Sequence, residues 1–134
     1  MTDRKTRALV PESLSAIERD WCMSPGLISG DHVYLTGITG QRIDGVIPET
    51  PEEQYETAFD NIALILAEGG MTLADMVDVT TFHIGLQDHL DTFRKVWNAR
   101  VSPPYPAWTA VGVTEFIIPG NFIEVKVVAR LPNV

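Results

Sequence analysis

Two side chains near the C-terminal end of the sequence are of types that could carry out chemistry. Glu124 lies at the start of the apolar segment 123–128, and Trp108 lies in the preceding strand-like segment. A carboxylate can take a proton from water, and a large aromatic side chain beside it can bound a small pocket. These residues predict a small-molecule cleft in which Glu124 handles water and Trp108 decides what is accepted.

The sequence offers little for metal or cofactor chemistry. His32, His83 and His89 are not spaced as in a metal-binding motif, and Cys22 is the single cysteine. The glycines at 37, 40 and 45 do not form a phosphate-binding pattern and are better explained as turn residues. We therefore predict neither a metal ion nor a cofactor.

Length and charge narrow the class of protein. The chain has 134 residues, 45% of them hydrophobic, which suits one domain spanning residues 1–134. Residues 1–17 are mixed in polarity and form an N-terminal extension with one short strand at 6–10. The net charge of −8 opposes nucleic-acid binding, because that affinity comes mostly from Lys and Arg neutralising phosphates. The apolar runs are too short for a bilayer and no export signal is evident, so we expect a cytoplasmic protein without a membrane partner.

Two segments carry helical patterns. The first begins at Thr50 and Pro51, where Thr50 can cap the helix and Glu53 can complete a capping box, and it ends at Gly69. Its apolar residues recur at helical spacing and predict a buried face: Tyr55, Ala58, Phe59, Ile62, Ile65 and Leu66. The second helix spans about residues 88–100 and ends before a pair of prolines.

Four more segments predict strands, at 32–38, 77–84, 107–115 and 122–131, while 24–30 predicts a turn-rich connection. Pro119 and Gly120 suit a type II turn, so the last two strands are expected to form a hairpin. Two helices can cover only one face of a sheet of about five or six strands, yet several strands are apolar on both faces. We expect the other face to pack against another copy of the chain.

With this order of elements, the chain resembles the YjgF/RidA (Rid) family from about residue 23 to residue 131. Four stretches carry the resemblance: SPG at 24–26 through GDHVYLTG at 30–37, NIALILAEGG at 61–70, DMVDVTTF at 75–82, and PA at 106–107 leading to IEV at 123–125. The resemblance implies a chorismate-mutase-like α+β fold, with a mixed six-stranded sheet and two helices on one face. It also implies a homotrimer with clefts between subunits, where best-studied members hydrolyse reactive enamines and imines without a cofactor.

The resemblance also assigns roles to individual residues. Glu124 matches a glutamate that positions the attacking water, and Thr36 with Gly37 matches a strand end whose backbone groups polarise the imine. Met23 aligns with a tyrosine found near the cleft, and Arg94 aligns with a cleft-side asparagine.

Trp108 is the main departure from the family pattern, because typical members carry an arginine there that grips the substrate carboxylate. An indole has one N–H donor and no charge, so it cannot replace a guanidinium. Losing such a contact costs roughly 2–5 kcal/mol. We therefore do not expect efficient hydrolysis of small 2-imino acids.

Each assignment has a structural alternative. Trp108 and its neighbour Tyr105 either form an aromatic wall of the cleft or belong to ordinary packing. Arg94 either restores a positive charge to the cleft or pairs with Asp91 on the helix surface.

The remaining assignments also have alternatives. Glu124 either lines the cleft or pairs with Lys126 on an exposed strand face. Thr36 and Gly37 either bind the substrate or form an ordinary strand-to-loop turn. Our hypothesis is a trimer that binds a small metabolite between subunits and hydrolyses a reactive enamine or imine. The alternatives are a non-enzymatic metabolite-binding or scaffold protein and, ranked last because of the charge, an endoribonuclease.

Overall fold

The computed structural model describes residues 6–132, which form one sheet of seven strands with three α-helices. In chain order the elements are β1 (Thr6–Leu9), α1 (Ser15–Trp21), β2 (Gly26–Ser29), β3 (His32–Leu35), β4 (Ile38–Thr39), α2 (Pro51–Glu68), β5 (Met76–His83), α3 (Leu86–Arg100), β6 (Ala107–Gly112) and β7 (Ile123–Arg130). The α+β fold expected from the sequence is confirmed. It contains a short strand, β4, and a short helix, α1, that the sequence pattern did not predict.

The sheet has the strand order β1-β2-β3-β7-β5-β6, and β4 also pairs with β7. β7 is antiparallel to β3, β4 and β5, whereas β6 runs parallel to β5. The predicted hairpin of the last two strands is wrong, because β5 lies between β6 and β7. α3 instead connects β5 to β6 as a crossover, the kind of connection that parallel neighbours need. The turn residue Gly120 does have a positive φ of 97°, but its turn belongs to a longer passage across the end of β5.

α2 forms as the sequence predicts. Thr50 Oγ1 accepts a hydrogen bond from the Glu53 N–H at 3.2 Å, Pro51 opens the helix, and Gly69 follows its last residue. The whole predicted apolar face is fully buried: Tyr55, Ala58, Phe59, Ile62, Ile65 and Leu66. α3 lies beside α2 and buries Phe93, Val96 and Trp97, so the two long helices cover one face of the sheet.

The segment 24–30 is more than a turn-rich connection, because it contains β2, which pairs with β1 and β3. Gly26 permits this placement, since an added Cβ would lie 2.9 Å from the Ile65 side chain of α2. α1 precedes it and packs Ile17 against the core, and Leu14, the residue before α1, belongs to the core. The helix ends at Cys22, an exposed residue with φ of 55°.

Among residues 6–132, neither α2 nor α3 lies over the opposite face of the sheet. Along β7, Ile123, Val125, Val127 and Ala129 are buried on the helical side, and the alternate residues point to the open side. Tyr34 is 45% exposed on this open face, and its neighbour Leu27 is 36% exposed. Within residues 6–132, no helix is long and apolar enough to cross a membrane.

Candidate functional site

The candidate site begins where the β3–β7 ladder is interrupted. β3 pairs with β7 as far as Tyr34 opposite Val128, and β4 resumes pairing at Ile38 opposite Val125. Thr36 and Gly37 lie between these two stretches and belong to neither strand. The chain therefore bends away from β7 at the two residues that the sequence singled out.

Glu124 occupies the space that this bend opens. Its side chain lies against Gly37, where an added Cβ would be 2.5 Å from Oε2 and 2.8 Å from Cδ. Glu124 is half-buried, and burial raises the pKa of its carboxyl above the ordinary value. A carboxylate with a raised pKa is a stronger base when ionised, which suits proton transfer from water.

Glu124 is not simply an exposed glutamate paired with its neighbour on the strand. The Lys126 ammonium donates a hydrogen bond to the Leu35 carbonyl oxygen at the end of β3. Burial lowers the pKa of the Lys126 side chain. The lysine thus satisfies a strand-end carbonyl, and the Glu124 carboxylate faces a cavity instead.

The cavity beside Glu124 has a volume of about 310 Å³. Its walls come from α1, the bend after β3, the following loop, α2 and the segment before β7. The lining residues are Ser13, Leu14, Ala16, Ile17, Trp21, Met23, Thr36, Gly37, Ile38, Thr39, Gln41, Arg42, Ile43, Gly45, Asn61, Phe116, Ile117, Ile118, Asn121 and Glu124. A mostly apolar enclosure with a few converging polar groups is typical of a small-molecule site.

Four residues proposed from the sequence meet in this cavity: Met23, Thr36, Gly37 and Glu124. The Thr36 hydroxyl donates to the Met23 sulfur at 3.3 Å, and the Thr36 N–H donates to the Pro25 carbonyl at 3.0 Å. These bonds fix the bend after β3 against the end of α1. The backbone around Thr36 and Gly37 is therefore held in place beside the carboxylate.

Trp108 lies outside this cavity. It pairs with Val79 of β5 and projects to the helical side of the sheet, whereas Glu124 projects to the open side. The indole stacks on Trp97 with ring centroids 5.0 Å apart and lies 5.6 Å from Phe93. Within one chain, Trp108 packs against α3 and does not line the cavity with Glu124.

A buried polar chain holds the indole in this position. Trp108 Nε1 donates to Thr81 Oγ1 at 2.9 Å, and His83 Nε2 lies 2.7 Å from the same oxygen. His83 is fully buried, and burial lowers its pKa to about 4. The imidazole is therefore neutral near pH 7, which suits its position against the Phe93 ring at 4.8 Å.

Arg94 and Tyr105 also lie outside the cavity lining. Arg94 is exposed on α3, and Tyr105 is 65% exposed in the loop before β6. The structure of one chain thus separates the predicted site into two groups. One surrounds Glu124, and the other, with Trp108, lies along α3 and β6.

The sequence reasoning missed several residues of the cavity. Trp21 comes from α1. Its spacing from Ile17, and from Leu14 just before the helix, is a helical signal that could have been found. Arg42 and Ile43 come from a loop between glycines, where no periodic pattern exists to predict their direction. The described residues also contain no cluster of His, Cys, Asp and Glu able to hold a metal ion.

Comparisons with known proteins agree with this architecture. Residues 15–131 match the family model described as endoribonuclease L-PSP. The chain is 37% identical over 127 residues to the RutC family protein YjgH of Escherichia coli (strain K12), covering 94% of this chain and 95% of that protein. The solved structure of protein YJGH has a TM-score of 0.87 at 35% identity and covers 98% of this chain and 100% of that chain.

A more distant structure shares the fold. The crystal structure of Rv2704 from Mycobacterium tuberculosis, a member of the YjgF/YER057c/UK114 family, has a TM-score of 0.80 at 22% identity. The match covers 93% of this chain and 98% of that chain.

Proposed function

Because the chain belongs to the endoribonuclease L-PSP (YjgF/RidA) family, we propose that it hydrolyses a reactive enamine or imine in the cavity beside Glu124. The observation that supports this proposal is the position of the Glu124 carboxylate. It is half-buried, has a raised pKa, and faces a cavity large enough for a small metabolite and water. No metal ion or cofactor is needed for such a reaction.

The chemistry requires one base and one water molecule. Glu124 accepts a proton from water as the water oxygen forms a bond to the imine carbon, and the protonated carboxyl gives this proton to the nitrogen as the C=N bond becomes a single bond. In the resulting carbinolamine, Glu124 transfers the hydroxyl proton to the nitrogen, so that the C–N bond breaks, ammonia leaves and a carbonyl compound remains. The backbone at Thr36 and Gly37 lines the same cavity and would orient the C=N group.

The raised pKa of Glu124 gives the reaction a pH dependence. Only the ionised carboxylate can accept the proton, so the rate is expected to fall as the pH drops through the pKa of Glu124. Since burial raises that pKa, the loss should occur at a higher pH than for an exposed glutamate.

We further propose that the protein is a cytoplasmic homotrimer with clefts between subunits. The open sheet face supports association, because it carries exposed apolar side chains such as Tyr34 and Leu27. In one chain Trp108 lies on the opposite face from Glu124, so it would reach a cleft only from a neighbouring copy. The exposed Arg94 and Tyr105 would approach a cleft in the same way. Sedimentation velocity would test the trimer, and a monomer would contradict it.

Ammonia release from freshly generated imines tests the proposed activity. The substrates are 2-aminoacrylate and bulkier 2-imino acids, produced in situ and assayed before they hydrolyse in solution. We expect slow turnover of 2-aminoacrylate, because the family resemblance aligns Trp108 with the arginine that grips small carboxylates. Glu124→Gln should abolish the enzyme-dependent rate on every substrate.

Glu68→Gln is the matched control, because Glu68 is an exposed glutamate at the end of α2 and does not line the cavity. It should leave the rate unchanged. Equal rates for the Glu124→Gln variant and the parent protein would contradict the proposal.

A non-enzymatic binding function is the second candidate. It is favoured by Trp108, which cannot provide the charged grip of the arginine and whose N–H already donates to Thr81. Thermal stabilisation by metabolites without ammonia release would support this alternative.

The name of the family model suggests ribonuclease activity, but the net charge of −8 opposes capture of RNA. Cleavage of single-stranded RNA that persists through repurification and disappears with Glu124→Gln would favour that activity instead.

A further inference from the structure

One residue in the wall of the cavity beside Glu124 is basic. Arg42 lines the cavity from the loop after β4, and it is the cationic residue among the described lining residues. We propose that Arg42 binds the carboxylate of the substrate and that the apolar rim receives a bulky apolar side chain. The inferred substrate class is therefore a 2-imino acid with a large apolar side chain. This inference rests on the proposed function for its reaction, but not for its binding step.

The Arg42 guanidinium has a carboxylate partner in its own loop. Arg42 Nη2 lies 2.7 Å from Asp44 Oδ2, and Asp44 Oδ1 accepts a hydrogen bond from the Val46 N–H at 3.0 Å. The Arg42 N–H donates to the Val46 carbonyl at 2.8 Å, and the Gly45 N–H donates to the Arg42 carbonyl at 2.9 Å. The loop thus closes on itself and uses Asp44 to orient the arginine.

The loop is also fixed to the rest of the protein. Asn61 of α2 is buried, and its Nδ2 donates to the Gln41 carbonyl at 2.8 Å. Gln41 Nε2 in turn donates to the Gly45 carbonyl at 3.0 Å. The residue before Arg42 is therefore tied to α2, so Arg42 is carried in the cavity wall by an anchored turn rather than by a free loop.

Charge explains why an anionic substrate needs Arg42. The chain carries a net charge of −8, and the Glu124 carboxylate lies in the same cavity. A substrate carboxylate entering this cavity would be repelled unless a cation offset the negative charge. Asp44 engages one N–H group of Arg42, and a guanidinium has five N–H donors, so donors remain for a second carboxylate.

The rim of the cavity explains the bulky apolar group. Trp21 is 50% exposed, Ile43 is 59% exposed and Ile117 is 79% exposed, and all three line the cavity. Three large apolar side chains left this accessible around one opening form a surface that an apolar ligand would cover. Ile43 is adjacent to Arg42, so the charged and apolar contacts lie side by side.

Binding of two matched probes tests the role of Arg42 without requiring turnover. Phenylacetate and phenylacetamide have the same size and differ in charge, and their dissociation constants can be measured by calorimetry. We expect the parent protein to prefer phenylacetate by about tenfold, because a charged hydrogen bond is strong but Arg42 is partly exposed to solvent. Arg42→Gln should abolish the preference, and Arg42→Lys should retain part of it.

Arg19→Gln is the control, because Arg19 is an exposed arginine that also contacts an adjacent aspartate and does not line the cavity. It should leave the preference unchanged. The inference is overturned if the parent protein binds neither probe or binds both equally, or if Arg42→Gln keeps the preference. Loss of the preference in Arg94→Gln instead would assign the charge to α3 and also overturn it.

Ammonia release then separates this inference from the proposed reaction. With a 2-imino acid made from phenylalanine, Arg42→Gln should raise KM about tenfold and change kcat little. If the probes bind as expected but no ammonia is released, the reaction is wrong and the role of Arg42 stands. If ammonia is released and Arg42→Gln changes neither constant, the reaction stands and the role of Arg42 in it is wrong.

Discussion

Gly37→Ala tests whether the position of the Glu124 carboxylate controls the reaction. The new Cβ would lie 2.5 Å from Glu124 Oε2, whereas ordinary contact begins at 3.4 Å. The carboxylate must therefore move by about 1 Å, a misplacement that can reduce a rate about 100-fold. The obstacle is the end of a flexible side chain and Gly37 has no positive φ, so the fold should tolerate the change.

The assay is ammonia release from a bulky 2-imino acid, together with thermal unfolding and a pH titration of the Glu124 carboxyl by NMR. We expect kcat/KM to fall about 100-fold, with little loss of stability. The pKa of Glu124 should move back toward its ordinary value, because a displaced carboxyl is better solvated.

Gly112→Ala is the matched control, since its new Cβ would meet Leu86 at an ordinary 3.7 Å. It should leave both activity and the pKa of Glu124 unchanged. A folded Gly37→Ala protein with the activity of the parent would refute the reasoning, because the carboxylate would then not need its position. An unfolded Gly37→Ala protein would refute it differently, by showing that the carboxylate cannot give way.

Three further predictions concern stability and can be measured by urea denaturation. The folded-state pKa of His83 is about 4, against 6.5 for the free side chain, so the unfolded chain takes up the proton first and the free energy of unfolding falls as the pH drops from 6.5 to 4. His83→Gln should remove about 3 kcal/mol of this loss. A variant with the same pH dependence as the parent protein would contradict the burial argument. Trp108→Arg should lower the free energy of unfolding by about 2–3 kcal/mol, because it removes the stacking on Trp97 and the hydrogen bond to Thr81. A stable variant that gains activity on 2-aminoacrylate would instead show that residue 108 serves the cleft. Gln54→Met should lower the free energy of unfolding by about 3 kcal/mol, because the buried amide makes three hydrogen bonds to the loops at 48 and 120–122. A change below about 1 kcal/mol would contradict a stabilising role for these hydrogen bonds.

Local signals made parts of the fold predictable. α2 carries its own start, buried face and end in the sequence, from the Thr50 cap to Gly69, and the structure confirms each of them. β7 forms within the segment predicted as a strand, and its buried and more exposed residues alternate strictly. By contrast, β4 has two residues and β2 has four, and elements this short have too few side chains to show a period.

Pairing between strands was not predictable in the same way. The last two strands were expected to form a hairpin because a good turn, Pro119-Gly120, lies between them. In the structure both strands instead pair with β5, one parallel and one antiparallel. A turn motif predicts that the chain reverses direction, but it does not predict which strand edge each of the two strands pairs with.

The sequence by itself indicated the family and the two long helices, and it singled out Glu124, Thr36 and Gly37 as candidate site residues, because these inferences depend on residue types and spacings along the chain. Only the tertiary structure decided that Trp108 faces α3, that Arg42 lines the cavity and that Gly37 makes room for a carboxylate. The physical reason is that strand order and register decide to which side of the sheet a side chain points and which residues lie close to it. A sheet brings together residues that are distant in sequence, such as Gly37 and Glu124, and it separates others, such as Trp108 and Glu124, onto opposite faces.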